Sequence, residues 1–514
     1  MSQTPSSMWN KLFPVHVHEF PKFIYTSLMI MFTIYVYSIL RVTKDTLLLS
    51  ALGPELISTT KLWSVFPSAV IFMLVYTKLA NVATRTTIYH GLLWFFIGFF
   101  VIFTLFLYPN LNSLMINVDG AVKAMPYMKY LLLMISGWPV VLFYVLSELW
   151  GSVMMALMFW QLANQITAVT ESKRFYPLFL LIGQGGMLLS GTLSQLFSDE
   201  TGQIDWQACL NKITVTLVIS GFAISLCLIL LCKIVGKDNI NNIMKGASSK
   251  AGKKKVRLGF VDSLKYIFSS KYIGLITLLI LCYGISINLV EGIWKASVNM
   301  NFAGNKGAMQ SFFGSVQVYT GIFGIVAMYG GSYLLNIMRW RTGAMLTPIM
   351  VLVTGILFYI FIIYREGGII APMIAALGST PLYLAVVFGA SQNVLSKSVK
   401  YAFFDATKEI SYIPLDEELK SKGKAAADVI GGRLGKSMGA GVQWGMLQVG
   451  FMFNPDVSLV GLAPYFFAIF VVVLVIWMMA VCSLEKEFNN KIEENKKTEA
   501  EVAEDMVVQE AKVS

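Results

Sequence analysis

Residues 276–287 read Ile-Thr-Leu-Leu-Ile-Leu-Cys-Tyr-Gly-Ile-Ser-Ile, and the chain runs straight on into Asn288-Leu289-Val290-Glu291-Gly292-Ile293-Trp294-Lys295. The apolar residues are continuous and do not alternate with polar ones, which specifies a buried helix and not a half-exposed strand. With its flanks the stretch gives a helix over 271–299, long enough at ~1.5 Å per residue to cross the ~30 Å hydrocarbon layer of a bilayer. Yet an acid and a base stand inside it, four residues apart in the order that favours pairing on one helix face. A charge at mid-bilayer costs roughly 2.5–3.5 kcal/mol on insertion scales.

Working outward, the same texture recurs along all 514 residues. The chain is 56% hydrophobic and 13% charged, with a mean hydropathy of +0.66. Soluble domains carry about 25% charged residues, so the composition is that of a membrane protein. Long uninterrupted runs such as Phe466–Val481 exclude a membrane β-barrel, whose strands alternate. Apolar runs and polar breaks predict twelve helices, at 22–45, 61–80, 87–108, 127–169, 175–197, 211–234, 271–299, 311–337, 342–364, 371–410, 423–452 and 458–483. Pro67 and Pro139 are the expected kinks.

Basic residues concentrate in alternate loops. The stretch between helices six and seven holds Lys237, Lys245, Lys250, Lys253, Lys254, Lys255, Arg257 and Lys265. The positive-inside rule places that loop and both termini in the cytoplasm. The expected organisation is a cytoplasmic N-terminus at 1–21, a six-helix half at 22–234, a basic linker at 235–270, a second six-helix half at 271–484, and a solvated or disordered cytoplasmic tail at 485–514. A weak repeat supports two halves. Phe159-Trp160 and Phe403-Phe404 are each followed by a glycine-rich run, Gly183-Gln184-Gly185-Gly186 and Gly431-Gly432-Arg433-Leu434-Gly435. The fold class is therefore an all-α membrane protein of about twelve transmembrane helices in two six-helix halves, the layout of the major-facilitator transporters. No secretory signal with a small-residue cleavage site is visible.

The charges inside the spans are mostly cationic, which points to a wet cavity for an anion. Arg41, Lys44 and Asp45 close the first predicted helix on one face. They read either as a phosphate-facing patch with Asp45 as countercharge, or as side chains snorkelling from a helix end. Glu148 lies too deep in helix four to snorkel; it reads either as a partner of a helix-one cation that gives way to substrate, or as half of a purely structural buried ion pair. Glu291 and Lys295 form either a local salt bridge or part of the cavity wall. Asn393, Lys397 and Lys400 follow one another at spacings of four and three and offer several donors with no acid between them, a phosphate cradle. Arg433 and Lys436 lie in the glycine-rich run. That run imitates a P-loop, but the required first glycine falls on Ile430, and the strand-then-helix context is missing. Tyr144, Trp150 and Phe404 are the aromatic candidates for stacking on a base.

Other chemistries find no support. The five cysteines include no CxxC pair, the three histidines sit near predicted helix ends, and neither a nucleophile–histidine–carboxylate set nor a metal-ligand cluster occurs. The chain reads as no enzyme, with no cofactor, no metal and no nucleic-acid partner.

The runs LRVTKDTLLL, SELWGSVMMALMFWQLANQIT, ESKRFYPLF, YGISINLVEGIWK, QNVLSKSVKYAFFDATKEISYIPLD, KGKAAADVIGGRLGKS and APYF resemble the nonmitochondrial ATP/ADP translocases of intracellular bacteria and plastids, over about 14–485. The resemblance implies strict nucleotide exchange, and it puts the charged residues that matter for transport on Lys44, Glu148, Glu291 and Lys436. The expectation is an antiporter taking external ATP for internal ADP, with phosphate moving alongside, acting as a monomer among lipids of a bacterial inner membrane. Family members differ in cargo. The alternatives are a proton-coupled or broad-range nucleotide importer, an NAD/ADP exchanger, or a nucleotide receptor that transports nothing.

Overall fold

The computed structural model describes residues 15–198, 205–236, 270–366, 370–376, 378–416, 423–424 and 427–513. All regular structure among them is helical. The long helices are α1 (Phe20–Leu52), α2 (Glu55–Val82), α3 (Arg85–Leu107), α4 (Trp138–Ile166), α5 (Val169–Phe197), α6 (Trp206–Val235), α7 (Lys271–Asn301), α8 (Lys306–Ile337), α9 (Trp340–Ile363), α10 (381–411), α11 (Gly432–Phe453) and α12 (Ala463–Val513). Ten of them are long and apolar enough to cross a membrane among the described residues. The other two, α10 and α11, are diluted by Gln392, Asn393, Ser396 and Lys397 and by Arg433, Lys436 and Gln443. The basic linker expected at 235–270 lies almost entirely outside the described residues.

Several boundaries differ from expectation, each for a local reason. Helix one does not stop at 45 but continues to Leu52, where Gly53 takes φ +89°. Lys44 and Asp45 are therefore buried inside a helix, and the snorkelling reading fails for both. The expected fourth helix breaks at Gly137 into Lys129–Ser136 and α4. Pro139 then sits in the first turn of α4, where its missing N–H has no partner to lose, so it begins a helix instead of kinking one. In α2 a wider π-type turn at Lys61–Val65 lies just ahead of Pro67. The expected tenth helix also divides. Ile370–Ala375 stands apart, Gly378 takes φ +69°, and Thr380 caps the new start by accepting from Tyr383 N at 3.1 Å. In the C-terminal tail α12 continues as far as Val513, tied down where Asn495 Nδ2 donates to Pro414 O at 2.9 Å and Phe488 stacks on Trp340.

The described chain packs as two compact units. The first comprises Met1–Lys255, Lys295–Ile325 and Leu447–Leu459, and the second Val256–Trp294, Val326–Met446 and Val460–Ser514. In the first unit α1 is the central element, packed on α4, α5 and α6. Its crossing with α5 is close because Gly186 has no side chain: a Cβ there would lie 2.2 Å from Met31 O. In the second unit α9 packs on α10 and α12. A glycine crossing recurs there between α7 and α11, where a Cβ on Gly284 would lie 2.8 Å from the carbonyl carbon of Gly435. Both glycine runs noted in the sequence thus serve close helix approach. Both aromatic landmarks of the repeat end π-type segments, Gly151–Phe159 in α4 and Lys400–Phe404 in α10.

Candidate functional site

The first unit holds a row of four alternating charges. Glu148 Oε1 lies 3.0 Å from Lys44 Nζ, Lys44 Nζ donates to Asp45 Oδ1 at 2.8 Å, and Asp45 Oδ2 lies 2.8 Å from Lys295 Nζ. Two acids and two amines make the row formally neutral, which is how charges survive among apolar helices. Burial is graded along it. The Lys295 and Lys44 side chains are 3% and 2% exposed, whereas Glu148 is 30% exposed. One end is sealed and the other is open. Lys44 Nζ also sits 3.9 Å from the centre of the Tyr144 ring, a cation–π contact that compensates part of its lost hydration.

Local structure explains the placement. Successive residues on a helix diverge by about 100°, so Lys44 and Asp45 point in different directions. Lys44 turns toward α4 and Asp45 toward Lys295 on α7. The flanking threonines are gripped by one side chain. Gln310 on α8, fully buried, donates from Nε2 to Thr43 Oγ1 at 3.2 Å and accepts from Thr46 Oγ1 at 3.2 Å, with Ser194 Oγ on α5 at 3.4 Å from Nε2. Gln310 was not marked by sequence reading, because an uncharged amide in a span stands out less than a charge. Its signal is a lone glutamine among small and apolar residues at the start of α8.

The second unit carries a separate set. Asn393, Lys397 and Lys400 follow along α10, with Asn393 buried and the two lysines half-buried. Lys400 Nζ is held by Asp405 Oδ2 at 2.7 Å and lies 4.7 Å from the Tyr401 ring centre. Asp405, five residues beyond Lys400, was also missed. Glu291 is buried on α7, next to Gly292, whose absent side chain leaves room for Gln443 of α11 to donate to Asn288 O at 2.7 Å. Lys436 is exposed on α11, while the side chain of Arg433 lies outside the described residues. Arg41 is half-buried on α1.

The aromatic candidates divide. Trp150 is fully buried and donates from Nε1 to Thr33 O at 3.1 Å, a packing role within α1 and α4. Phe404 stacks on Tyr283 and meets the edge of Trp477, which buries it in the second unit. Tyr144, against Lys44, is the one of the three that adjoins the charged row.

Known proteins give an independent view. A family model described as TLC ATP/ADP transporter matches residues 1–488. ADP,ATP carrier protein 1 of Rickettsia typhi is 38% identical over 490 residues, covering 94% of this chain and 96% of that protein. ADP,ATP carrier protein 1 of Chlamydia muridarum is 39% identical over 504 residues, covering 95% and 93%. ADP,ATP carrier protein 4 of Rickettsia conorii is 36% identical over 502 residues, covering 95% and 96%. Among solved structures, a bacterial homologue of the iron transporter ferroportin in an inward-facing state superposes with a TM-score of 0.54 at 15% identity, over 90% of this chain and 98% of that one. A D-xylose–proton symporter gives 0.53 at 12% identity, over 91% and 97%. At such identities the structures speak for the fold alone, a major-facilitator-like helical transporter.

Proposed function

We propose, because this chain belongs to the TLC ATP/ADP transporter family, that it exchanges external ATP for internal ADP across a membrane by alternating access. The observation that carries the mechanism is the open end of the charged row. Lys44 is buried and fully paired, yet the carboxylate on one of its sides is 30% exposed. A nucleotide phosphate offers the same kind of oxygen as Glu148, with more charge behind it. Phosphate replaces Glu148 on Lys44 when nucleotide binds, and Glu148 returns when it leaves. The empty carrier is then held by its own ion pairs, and substrate lowers the barrier between states through its differential affinity for them. Arg41, Lys397, Lys400, Arg433 and Lys436 serve as further phosphate ligands, and Glu291 as a second internal stand-in.

The same reading includes phosphate moving with ADP, a bacterial inner membrane with both termini in the cytoplasm, function as a monomer, and working halves at 22–234 and 271–484. The lysine- and arginine-rich alternate loops support the orientation. The test is uptake of labelled ATP into liposomes containing the purified carrier. Uptake only with ADP inside supports exchange. Uptake into empty liposomes that a protonophore abolishes overturns it in favour of proton coupling, and saturable binding without accumulation overturns transport.

A further inference from the structure

Helices α3 and α6 enclose a cavity of about 330 Å³ at one end of the first unit, lined by Thr86, Thr87, His90, Ile229, Cys232 and Lys233. It lies far from the charged row in sequence and takes no part in it. Its position is fixed by the helix ends: α3 begins at Arg85 and α6 finishes at Val235. Both are spans by length and composition, and the cavity lies at an end of each, where a span leaving the hydrocarbon would meet headgroups.

The lining is two-faced. Lys233 is exposed and forms no ion pair among the described residues. Thr86 and Thr87 bring hydroxyls, both within hydrogen-bond distance of Thr84 Oγ1, and Ser225 Oγ holds the His90 ring at Nδ1 at 3.1 Å. The exposed Thr87 hydroxyl retains capacity for a second partner. On the other side the wall is apolar, and it continues along α6. Val215, Ile219, Phe222, Leu226 and Ile229 are all exposed at spacings of four, three, four and three, and the next step of four is Lys233. These positions share one helix face. From Phe222 to Lys233 that stripe rises ~16 Å, about half the hydrocarbon thickness.

We propose that this cavity binds an anionic phospholipid, with its phosphate on Lys233 and the Thr87 hydroxyl and an acyl chain laid along the α6 stripe. A free phosphate ion would use the polar groups and leave the stripe idle. A zwitterionic lipid would use the stripe and gain less from Lys233. An anionic lipid matches both, and basic pockets between spanning helices are suited to such headgroups. The cavity's size falls at the lower end of the roughly 300–1,000 Å³ of ligand clefts, suited to a headgroup phosphate.

The test offers dioleoyl phosphatidylglycerol, dioleoyl phosphatidylcholine or inorganic phosphate to the delipidated full-length carrier, with bound lipid counted by native mass spectrometry. The wild-type carrier is expected to retain phosphatidylglycerol over phosphatidylcholine. Lys233→Gln is expected to lose about fivefold of that retention, the weight of one interfacial lysine, with the melting temperature unchanged and Lys233→Arg restoring retention. All other lysines remain in the variant, so the loss reports this cavity. Equal retention by wild type and Lys233→Gln overturns the proposal. Displacement of the lipid by millimolar inorganic phosphate overturns it as well, since the site then recognises a soluble anion.

Discussion

Asp45 Oδ2 lies 2.8 Å from Lys295 Nζ while Asp45 Oδ1 accepts from Lys44 Nζ at 2.8 Å, so one carboxylate serves two buried ammonium groups. Asp45→Asn takes a counterion from both, while Lys44 keeps Glu148. Removing one member of a buried ion pair costs about 3–5 kcal/mol, because the partner keeps its desolvation penalty without its counterion. The purified variant is expected to melt well below wild type and to exchange no nucleotide. Adding Lys295→Met removes the buried amine that lost Asp45 and should return part of the melting temperature without returning exchange. A double variant no more stable than Asp45→Asn alone would show that the pairing does not hold Lys295 in place.

Glu148, at the exposed end, behaves differently. Its pairing with Lys44 is partly screened by water, and such pairs contribute about 0–1 kcal/mol. Glu148→Gln is expected to leave the melting temperature nearly unchanged. Exchange should still fall about tenfold or more, ~1.4 kcal/mol on the barrier, because the amide cannot hold Lys44 between substrates. Counterflow in proteoliposomes checks this, and wild-type rates in Glu148→Gln would remove the proposed role of that carboxylate.

The charged members of the row were legible because a charge inside a span is conspicuous whatever its tertiary setting. Lys44, Asp45, Glu148 and Lys295 all announced themselves in this way. Their grouping was not legible, since Asp45 and Lys295 are 250 positions apart and only packing brings them together. Gln310 and Asp405 escaped for opposite reasons. One is uncharged, and the other stands beside aromatic residues, outside the polar run that drew notice. Helix interiors followed from hydropathy, but ends depended on single residues: Gly53, Gly137 and Gly378 set three of the breaks that sequence reading misplaced. Charge-rich composition in the tail fits a solvated helix as well as a disordered segment, and contacts such as Phe488 on Trp340 belong to the helix.

Gln310 offers a test of positioning. Gln310→Leu keeps the volume but leaves Thr43, Thr46 and Ser194 with one buried partner fewer, at about 1–3 kcal/mol. Gln310 fixes the turn of α1 that bears Lys44 and Asp45 through its bonds to Thr43 and Thr46. The maximal exchange rate is therefore expected to drop more than the apparent affinity for ATP. A variant with unchanged rate and weakened affinity would instead make Gln310 a ligand.

Glu19, just ahead of α1, predicts an acid dependence. Its carboxylate accepts from Arg174 Nη1 and Nη2 at 2.9 and 2.7 Å and from His16 N at 3.0 Å. The Arg174 guanidinium holds its pKa down to about 2 from the usual 4.5. The folded state thus prefers the ionised form more strongly than the unfolded chain does. The resulting stability is fully present above 4.5 and is lost as pH falls toward about 2. The melting-temperature gap between wild type and Glu19→Gln should be constant above that range and close within it. A gap that persists unchanged to the acid limit would assign the effect to packing.

Gly185 and Gly186 are neighbours on α5 that face different surroundings. A Cβ on Gly185 meets nothing within 4 Å, whereas one on Gly186 would lie 2.2 Å from Met31 O and 3.0 Å from Tyr35 N. Both obstacles at Gly186 are backbone atoms of α1, so no rotamer change relieves them and the helices must separate. Gly185→Ala is expected to be neutral or to stabilise by up to about 1 kcal/mol through helix propensity. Gly186→Ala is expected to lower both the melting temperature and the exchange rate. The rate follows because α1 carries Lys44 and Asp45, and a displacement of ~1 Å at a reacting or binding group is enough to cost on the order of a hundredfold. Matched expression, melting and counterflow of the two variants separate these outcomes. A Gly186→Ala carrier that melts and exchanges like wild type would mean that α1 and α5 do not approach as closely as the glycine requires.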